Sequence, residues 1–511
     1  MIKGKLLKSA APVLLLFLAA CSRETIRITD LTVLPMTVTT SSAVLSWDNP
    51  DGTREGDVYE IWLDGQMAAQ SRVTHITLDR LKASTDYKVK VRGIDAKGRE
   101  GDFSRTVSFR TPDEGAIYYV TDFGAVPDGK TLNTEAIQLT IDECPEGGIV
   151  RIPAGTFLSG AIFLRDNMTL ELEKGAVLQG SGNPEDYPKI LNRFEGWELE
   201  TYASLINCGT LDRTKSQMTE NVAIRGEGTV RGGGKALGDA MRRAAGDDGQ
   251  GRSRGRLIQF LNCRNVAVDG LNIDNPPCWT IHAIYSENIT CHNLNITSLG
   301  VPNGDGIDPD SCTDFYIVGC SFTNGDDCIA VKSGKNPEGN IVNIPTKGVY
   351  VSDCNFIAGH GISIGSEISG GVENVVVREC KAGALINGMQ IKATRERGAY
   401  IRNVDVRDCA LQMITIFNRL SYNNDGEAAP TPPKFSDFTF RRLDLRGADV
   451  SKPVIVIHSF EEDAWKTENV LFSDIVLADG SQVLMEPATN VRFEKVRTVS
   501  GKKIQPVVGK L

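Results

Sequence analysis

The feature that most constrains this chain is a loose repeat in its second half. Each copy runs Asn, apolar, any, apolar, two more residues, then Cys or an apolar residue, any, apolar. Asn265-Val266-Ala267-Val268 leads to Leu271, Asn288-Ile289 to Cys291 and Leu294, and Phe315-Tyr316-Ile317 to Cys320 and Phe322. Val349-Tyr350-Val351 leads to Cys354 and Phe356, Asn374 to Cys380, Asn403 to Cys409, Asn469 to Ile475, and Asn490 to Val496. A period of roughly 20–35 residues with short units means a solenoid, whose coils bury their apolar faces only against one another. Helical solenoids show a 3.6-residue period, whereas these units alternate with period two. The expected fold is all-β, a right-handed parallel β-helix with Asn in turns or in a stacked ladder. The 51 glycines and 7% aromatics suit many short strands joined by turns.

The chain of 511 residues is longer than one ordinary domain. Residues 1–21 read as a secretory signal: Lys3, Lys5 and Lys8 precede an apolar run too short to span a bilayer. The run ends in Leu18-Ala19-Ala20-Cys21, which resembles the lipobox of bacterial lipoproteins, so lipid attachment at Cys21 and a place in the bacterial envelope are expected. Residues 27–112 hold alternating segments such as Ala43–Trp47, Tyr59–Leu63 and Tyr87–Val91. With an early buried Trp and Leu81 leading to Tyr87, this β-sandwich resembles a fibronectin type III unit. It reads as a spacer, with Thr111–Gly115 as a hinge. Residues 117–511 form the β-helix, opened by a capped helix after Asn133.

Net charge of −9 argues against nucleic acid as a partner. It leaves room for an anionic sugar polymer if Arg252, Arg254, Arg256, Lys332, Arg395 and Arg397 make the groove locally basic. Twelve cysteines less Cys21 leave an odd number, and several recur at one place in the repeat. They read as stacked buried thiols rather than disulfides, and paired zinc-type spacings are absent. His282 and His292 read as core or surface residues. Asp305, Asp308 and Asp310 show a faint likeness to a calcium loop, without the spacing of an EF-hand.

Four motifs interrupt the repeat, about one per coil: Asn303-Gly304-Asp305-Gly306-Ile307-Asp308, Asn324-Gly325-Asp326-Asp327-Cys328, Gly359-His360-Gly361, and Gly388-Met389-Gln390-Ile391-Lys392. Coils stack about 4.8 Å apart. If Ile329, Val331, Ile362, Ile364, Met389 and Ile391 face inward, Gln390 and Lys392 face outward into one patch with the aspartates and the imidazole. Crowded carboxylates raise one another's pKa, so at least one should hold a proton near neutral pH. A protonated acid beside ionised carboxylates is what glycoside hydrolysis needs.

The ordered set Asn-x-Asp, Asp-Asp, Gly-His-Gly and x-Ile-Lys on Asn-rich coils resembles glycoside hydrolase family 28, the polygalacturonases, over about residues 119–500. The resemblance implies a pectin lyase-like β-helix and an inverting hydrolase of α-linked galacturonic acid, needing no metal or cofactor. It makes Asp326 the general acid and has Asp305 and Asp327 position and activate water. It has His360 support the acid's protonation and Lys392 bind a substrate carboxylate, with Asn303, Asp308 and Gln390 also in the binding set. The implied partner is acidic plant cell-wall polysaccharide or its oligosaccharides, met by a monomer on a lipid anchor. A fibronectin-like unit ahead of the β-helix is similar to bacterial exo-acting members. One departure is Gln390, where the family carries arginine. Two alternatives remain: a calcium-dependent pectate lyase-like enzyme and a non-catalytic carbohydrate-binding β-helix.

Overall fold

The computed structural model describes residues 25–212, 218–246, 251–420 and 426–509. The expected signal segment and Cys21 lie outside the described residues. Among the described residues, no helix is long and apolar enough to cross a membrane.

Seven strands between Thr29 and Arg110 form two antiparallel sheets, one of three strands and one of four. Trp47 is buried between them and meets Tyr59 edge to face, ring centres 5.4 Å apart. The Tyr87 hydroxyl accepts the Lys82 amide at 2.8 Å, pinning the corner after Leu81. The sandwich is no free spacer, because it lies against the side of the coils. Arg378 donates to the Trp47 carbonyl at 2.7 Å, Thr53 donates to Glu379 at 2.7 Å, and Arg407 pairs with Asp48. Leu34 and Val44 pack on Val318 and Tyr316. The expected hinge is also tied down: the Thr111 amide donates to the Thr85 carbonyl at 3.0 Å, and a side chain at Gly115 would strike the Gly147 carbonyl.

From Ile117 onward the chain winds as a parallel β-helix. One 14-stranded sheet runs the length of the solenoid, and neighbouring strands in it pair in parallel, for example Cys263–Asp269 beside Glu287–His292. Its registration gives one inward row: Val222, Val266, Ile289, Phe315, Val349, Val375, Val404, Phe438, Val470 and Val491. Each buried aliphatic side chain in such a row contributes roughly 1.5–3 kcal/mol of hydrophobic stabilisation. A second inward row carries the cysteines: Cys320, Cys354, Cys380 and Cys409 are buried free thiols, with Phe322 stacked on Phe356 nearby.

The helix Thr134–Glu143 covers one end of the solenoid through Ile137 and Ile141. Asn133 sits at its N-cap position but does not cap it. Its side chain instead accepts the Val126 amide at 2.6 Å and donates to the Thr131 carbonyl at 2.7 Å, tying down the preceding turn.

The residue before each inward apolar position bends the chain with positive φ: Asn221 (58°), Asn265 (55°), Asn288 (55°), Asp314 (55°), Asn374 (61°), Asn403 (54°), Asp437 (64°), Asn469 (57°) and Asn490 (50°). Asn and Asp tolerate this left-handed region because their short side chains bond locally. Here the amides also join coil to coil: Asn265 donates to Asn221 at 2.9 Å, Asn288 to Asn265 at 3.1 Å, and Asn490 to Asn469 at 2.8 Å.

Replacing Asn265 by Ala removes both ladder bonds and puts a Cβ without a local partner at positive φ. Denaturant unfolding should show a loss of about 1–3 kcal/mol. Asn265→Gly, which keeps the backbone relaxed, should lose clearly less; equal losses would mean the turn geometry contributes nothing.

Candidate active site

Strands Ile307–Asp310, Asp327–Val331, Asn355–Ile364 and Lys381–Thr394 lie side by side in successive coils. Ile307, Ile329, Ile362 and Met389 align and point inward. The following residues, Asp308, Ala330, Ser363 and Gln390, therefore form an outward row. Asp327 aligns with Gly361 and Gly361 with Gly388, so no side chain stands over Asp327 on the next coils. Gly359 (φ 132°) and Gly361 (φ 99°) allow the backbone to bulge between Asp327 and Ile329's partners. A Cβ at Gly361 would lie 2.0 Å from the Gly388 carbonyl oxygen. The bulge turns His360 toward the aspartates.

The outward patch forms a cleft of about 410 Å³. At its mouth the His360 Nδ1 lies 2.9 Å from Asp326 Oδ1 and 3.7 Å from Asp327 Oδ1. Lys392 Nζ is 3.3 Å from Asp327 Oδ2, and the Ser363 hydroxyl donates to Asp327 Oδ1 at 2.7 Å. Behind them Lys332 is buried, its Nζ 3.6 Å from Asp305, 3.5 Å from Asp308 and 3.7 Å from Glu367. The ammonium also lies 4.5 Å from the Trp279 ring centre.

Burial pushes Asp305 well above the ordinary carboxyl value, and the charges of Asp308, Asp326 and Asp327 add to this against Lys332. Burial likewise raises Asp308 to about 7, with Lys332 opposing. Burial alone would raise Asp326 too, but the hydrogen bond and charge of His360 outweigh it and leave that carboxyl below its ordinary value. His360 is raised in return, chiefly by its hydrogen bond to Asp326. Lys332 stays charged despite burial because Glu367, Asp305 and Asp308 surround it. Burial and charge thus favour the protonated form at Asp305 and Asp308 and at the imidazole by the mouth, and the ionised form at Asp326.

Asp305, Asp326, Asp327, His360, Gln390, Lys392 and Asn303 all line this cleft, with Asn303 at its rim accepting from Arg254 at 2.7 Å. Asp308 does not line it. Its carboxyl group is fully buried against Lys332, 3.5 Å away, and does not reach the cleft surface. The calcium-loop likeness also dissolves: Asp305 and Asp308 face Lys332, while Asp310 takes Arg193 at 2.8 Å. Of the arginines expected to supply a positive field, Arg252 is bound to Glu195 at 3.0 Å and Arg397 is buried on Asn336 and the Ser366 carbonyl. Residues that the motifs did not reveal are Ser363, Glu367, Trp279 and Glu195. Ser363 was accessible in principle, one residue beyond an inward Ile; the others arrive from neighbouring coils or a hairpin tip that carries no motif.

That hairpin, Lys189–Phe194 paired with Trp197–Tyr202, brings its tip residue Glu195 to the cleft. Trp197 donates to the Asn336 carbonyl at 2.9 Å, and Gly196 packs so tightly on Lys335 that a Cβ would lie 2.4 Å from its amide nitrogen.

The sequence pattern of glycosyl hydrolases family 28 matches residues 194–498, and that of the fibronectin type III domain matches residues 27–110. An exo-poly-alpha-D-galacturonosidase of Dickeya chrysanthemi is 26% identical over 531 residues, covering 89% of this chain and 88% of its own. The structure of a family 28 exopolygalacturonase from Yersinia enterocolitica aligns with a TM-score of 0.83 at 25% identity, covering 95% of this chain and 98% of that one. A hyperthermoactive exopolygalacturonase from Thermotoga maritima aligns with a TM-score of 0.64 at 29% identity, covering 76% and 92%.

Asp308 gives a pH test of this charge arrangement. Its folded pKa, about 7, lies above the ordinary 3.8, so the unfolded chain releases that proton first and the buried group costs stability as pH rises from about 4 to 7. Asp308→Asn should therefore unfold at a higher temperature than wild type at pH 7 and above, the advantage vanishing toward pH 4. An advantage independent of pH would mean that Asp308 does not titrate in this range. The Michaelis constant should change little, because the side chain does not reach the cleft.

Proposed function

The chain belongs to glycosyl hydrolases family 28, and from that premise we propose that it removes galacturonate from the end of pectic chains by inverting hydrolysis. The polygalacturonase-like hydrolase activity comes with the family; direction of attack, stereochemistry and residue roles are the proposal. The observation that carries it is the Asp326–His360 pair beside Asp327 and Lys392 in one cleft. Asp326, half-buried at the mouth, is the proposed acid for the leaving oxygen. In the empty cleft its proton resides on His360; when a bound sugar expels water, the charged pair is destabilised and the proton passes along the 2.9 Å bond to the carboxyl. Asp327, held by Ser363 and Lys392, and Asp305 face the attacking water. Asp305 is the second candidate for the acid, since burial and the neighbouring carboxyls favour its protonated form. The exo-acting names of the Dickeya and Yersinia relatives favour attack from a chain end.

Asp326→Asn should lower kcat by about 10²–10⁴-fold or more while leaving binding nearly intact. Activity within threefold of wild type would move the acid to Asp305. Early products should be one small sugar species of inverted anomeric configuration by NMR. A ladder of long fragments defeats exo attack, and a retained anomer or an unsaturated product defeats inverting hydrolysis.

We further propose that Cys21 is acylated and holds the enzyme in the bacterial envelope, on the strength of the basic start, short apolar run and Leu-Ala-Ala-Cys ending. Cys21→Ser expressed in a Gram-negative host should shift the protein from the membrane to the soluble fraction. Equal membrane recovery of both forms would defeat the anchor.

A further inference from the structure

Each aspartate that lines the cleft has a basic neighbour of its own. His360 faces Asp326 at 2.9 Å, and Lys392 faces Asp327 at 3.3 Å. Asp305 has Lys332, whose Nζ lies 3.6 Å from its Oδ2. Among the described residues, no other basic side chain comes within ion-pair distance of the Asp305 carboxyl. The sequence motifs contain the first two basic groups and not the third.

Lys332 is built into this place. Ile329 and Val331 are buried inward on the preceding strand, so Lys332 points outward, and its amide donates to the Pro309 carbonyl at 2.8 Å. The ammonium is buried 4.5 Å from the Trp279 ring centre, where it meets Asp308 at 3.5 Å and Glu367 at 3.7 Å besides Asp305. The Glu367 backbone is tied to the same turn, its carbonyl accepting the Ser333 amide at 2.7 Å. Burial alone would raise the Glu367 carboxyl, but Lys332 and then Arg397 outweigh it and leave it below its ordinary value. Glu367 therefore carries the counter-charge of Lys332, and Asp305 feels what remains. An ammonium still orients Asp305 when that carboxyl holds a proton, since its carbonyl oxygen accepts in either form.

We propose that Lys332 is the positioning residue of Asp305, holding that carboxyl against the attacking water, and that Glu367 sets how strongly the ammonium acts. The inference rests on the hydrolase reading above and adds to it a pair that works through Asp305 rather than on the sugar. The charged groups around Asp305 are Asp308, Asp326, Asp327 and Lys332; those around Lys332 are Glu367, Asp305, Asp308 and Asp327. Around Glu367 they are Lys332, Arg397 and Lys392. Exchanging Lys332 or Glu367 leaves every aspartate in place and changes the field at Asp305 in opposite senses. Loss of the ammonium disfavours the ionised Asp305, so the limb of the pH profile that Asp305 governs moves up. Loss of the Glu367 carboxylate leaves the ammonium unshared and favours the ionised form, so the same limb moves down.

The test measures kcat and KM of the full chain on oligogalacturonides across the pH range in which it stays folded. Lys332→Gln should lower kcat roughly 10–100-fold with KM little changed, as a misplaced catalytic group does. Its limb should move up by about one pH unit or more, and that of Glu367→Gln should move down by a similar amount. Loss of packing alone would lower both activities without moving a limb in two directions. Limbs that stay put, or that move the same way in both variants, overturn the inference. A raised KM with kcat kept in Lys332→Gln makes Lys332 a substrate-binding residue and overturns it as well. Should Lys332→Gln fail to fold, Glu367→Gln decides alone: a downward shift sustains the inference, and an unmoved limb refutes it. Opposite shifts of the acid limb support Asp305 as the group that activates water. Opposite shifts of the alkaline limb make Asp305 the acid, which removes its role in the hydrolase reading and leaves Lys332 as its positioning residue.

Discussion

The structure depends on a backbone turn of positive φ repeated once per coil. A β-strand has a side-chain period of two, so a one-residue slip between coils would expose Ile329, Ile362 and Met389 and bury Ser363 and Gln390. The left-handed step at Asn265, Asn288, Asn374 and their equivalents fixes where each coil enters the sheet, and the amide bonds between them tie each step to the next. The chemistry inherits that register. Asp326, His360 and Lys392 come from three different coils, and their 2.9 and 3.3 Å contacts exist only because the coils are locked within a fraction of a residue.

The same stacking creates an electrostatic problem that the cleft solves by depth. Carboxyls on adjacent coils cannot all ionise in a partly dry site. The deepest, Asp305 and Asp308, are raised and share the buried Lys332, whereas Asp326 at the mouth is lowered by His360. Environments that push similar groups apart in this way separate their roles. Lys332 is central to the arrangement, because removing a buried cation would strand three carboxylates that face it.

How much of this was legible in the sequence follows from what each position demands. Left-handed φ selects Asn, so the ladder showed itself at residues 265, 288, 374 and 403; Asp314, Gly348 and Asp437 do the same job and interrupted the pattern. A second row of left-handed turns passes through Asn293, Asp353, Asp408 and Asp474, but at Glu379, Arg442 and Lys495 it carries residues not typical of that region, so those three positions had no signature. In the cleft, Asp305, Asp326, Asp327, His360, Gln390 and Lys392 could be read because their motifs recur about once per coil. Asp308 misled because its motif neighbour Asp305 lines the cleft while it lies three residues further on, behind Lys332. Glu195 and Trp279 gave no signal, their approach being set by how a hairpin folds back and by the turn that enters the neighbouring coil.

The unsigned turns explain the sandwich. Glu379 accepts from Thr53 and Thr74, Arg378 reaches the Trp47 carbonyl, and Arg442 donates to the Pro50 carbonyl at 3.0 Å. These contacts fall on the coils between Asp353 and Arg442, and Glu379 lies in sequence between His360 and Gln390. The sandwich thus grips the back turns of the coils that carry the imidazole, the amide and the ammonium. Its core makes the grip rigid, since Trp47 and Asp48 belong to a buried strand rather than a loop. A strained turn persists only where its surroundings over-determine it. The sandwich supplies those surroundings, so its effect on the cleft passes through coil register rather than through any group it presents to a substrate.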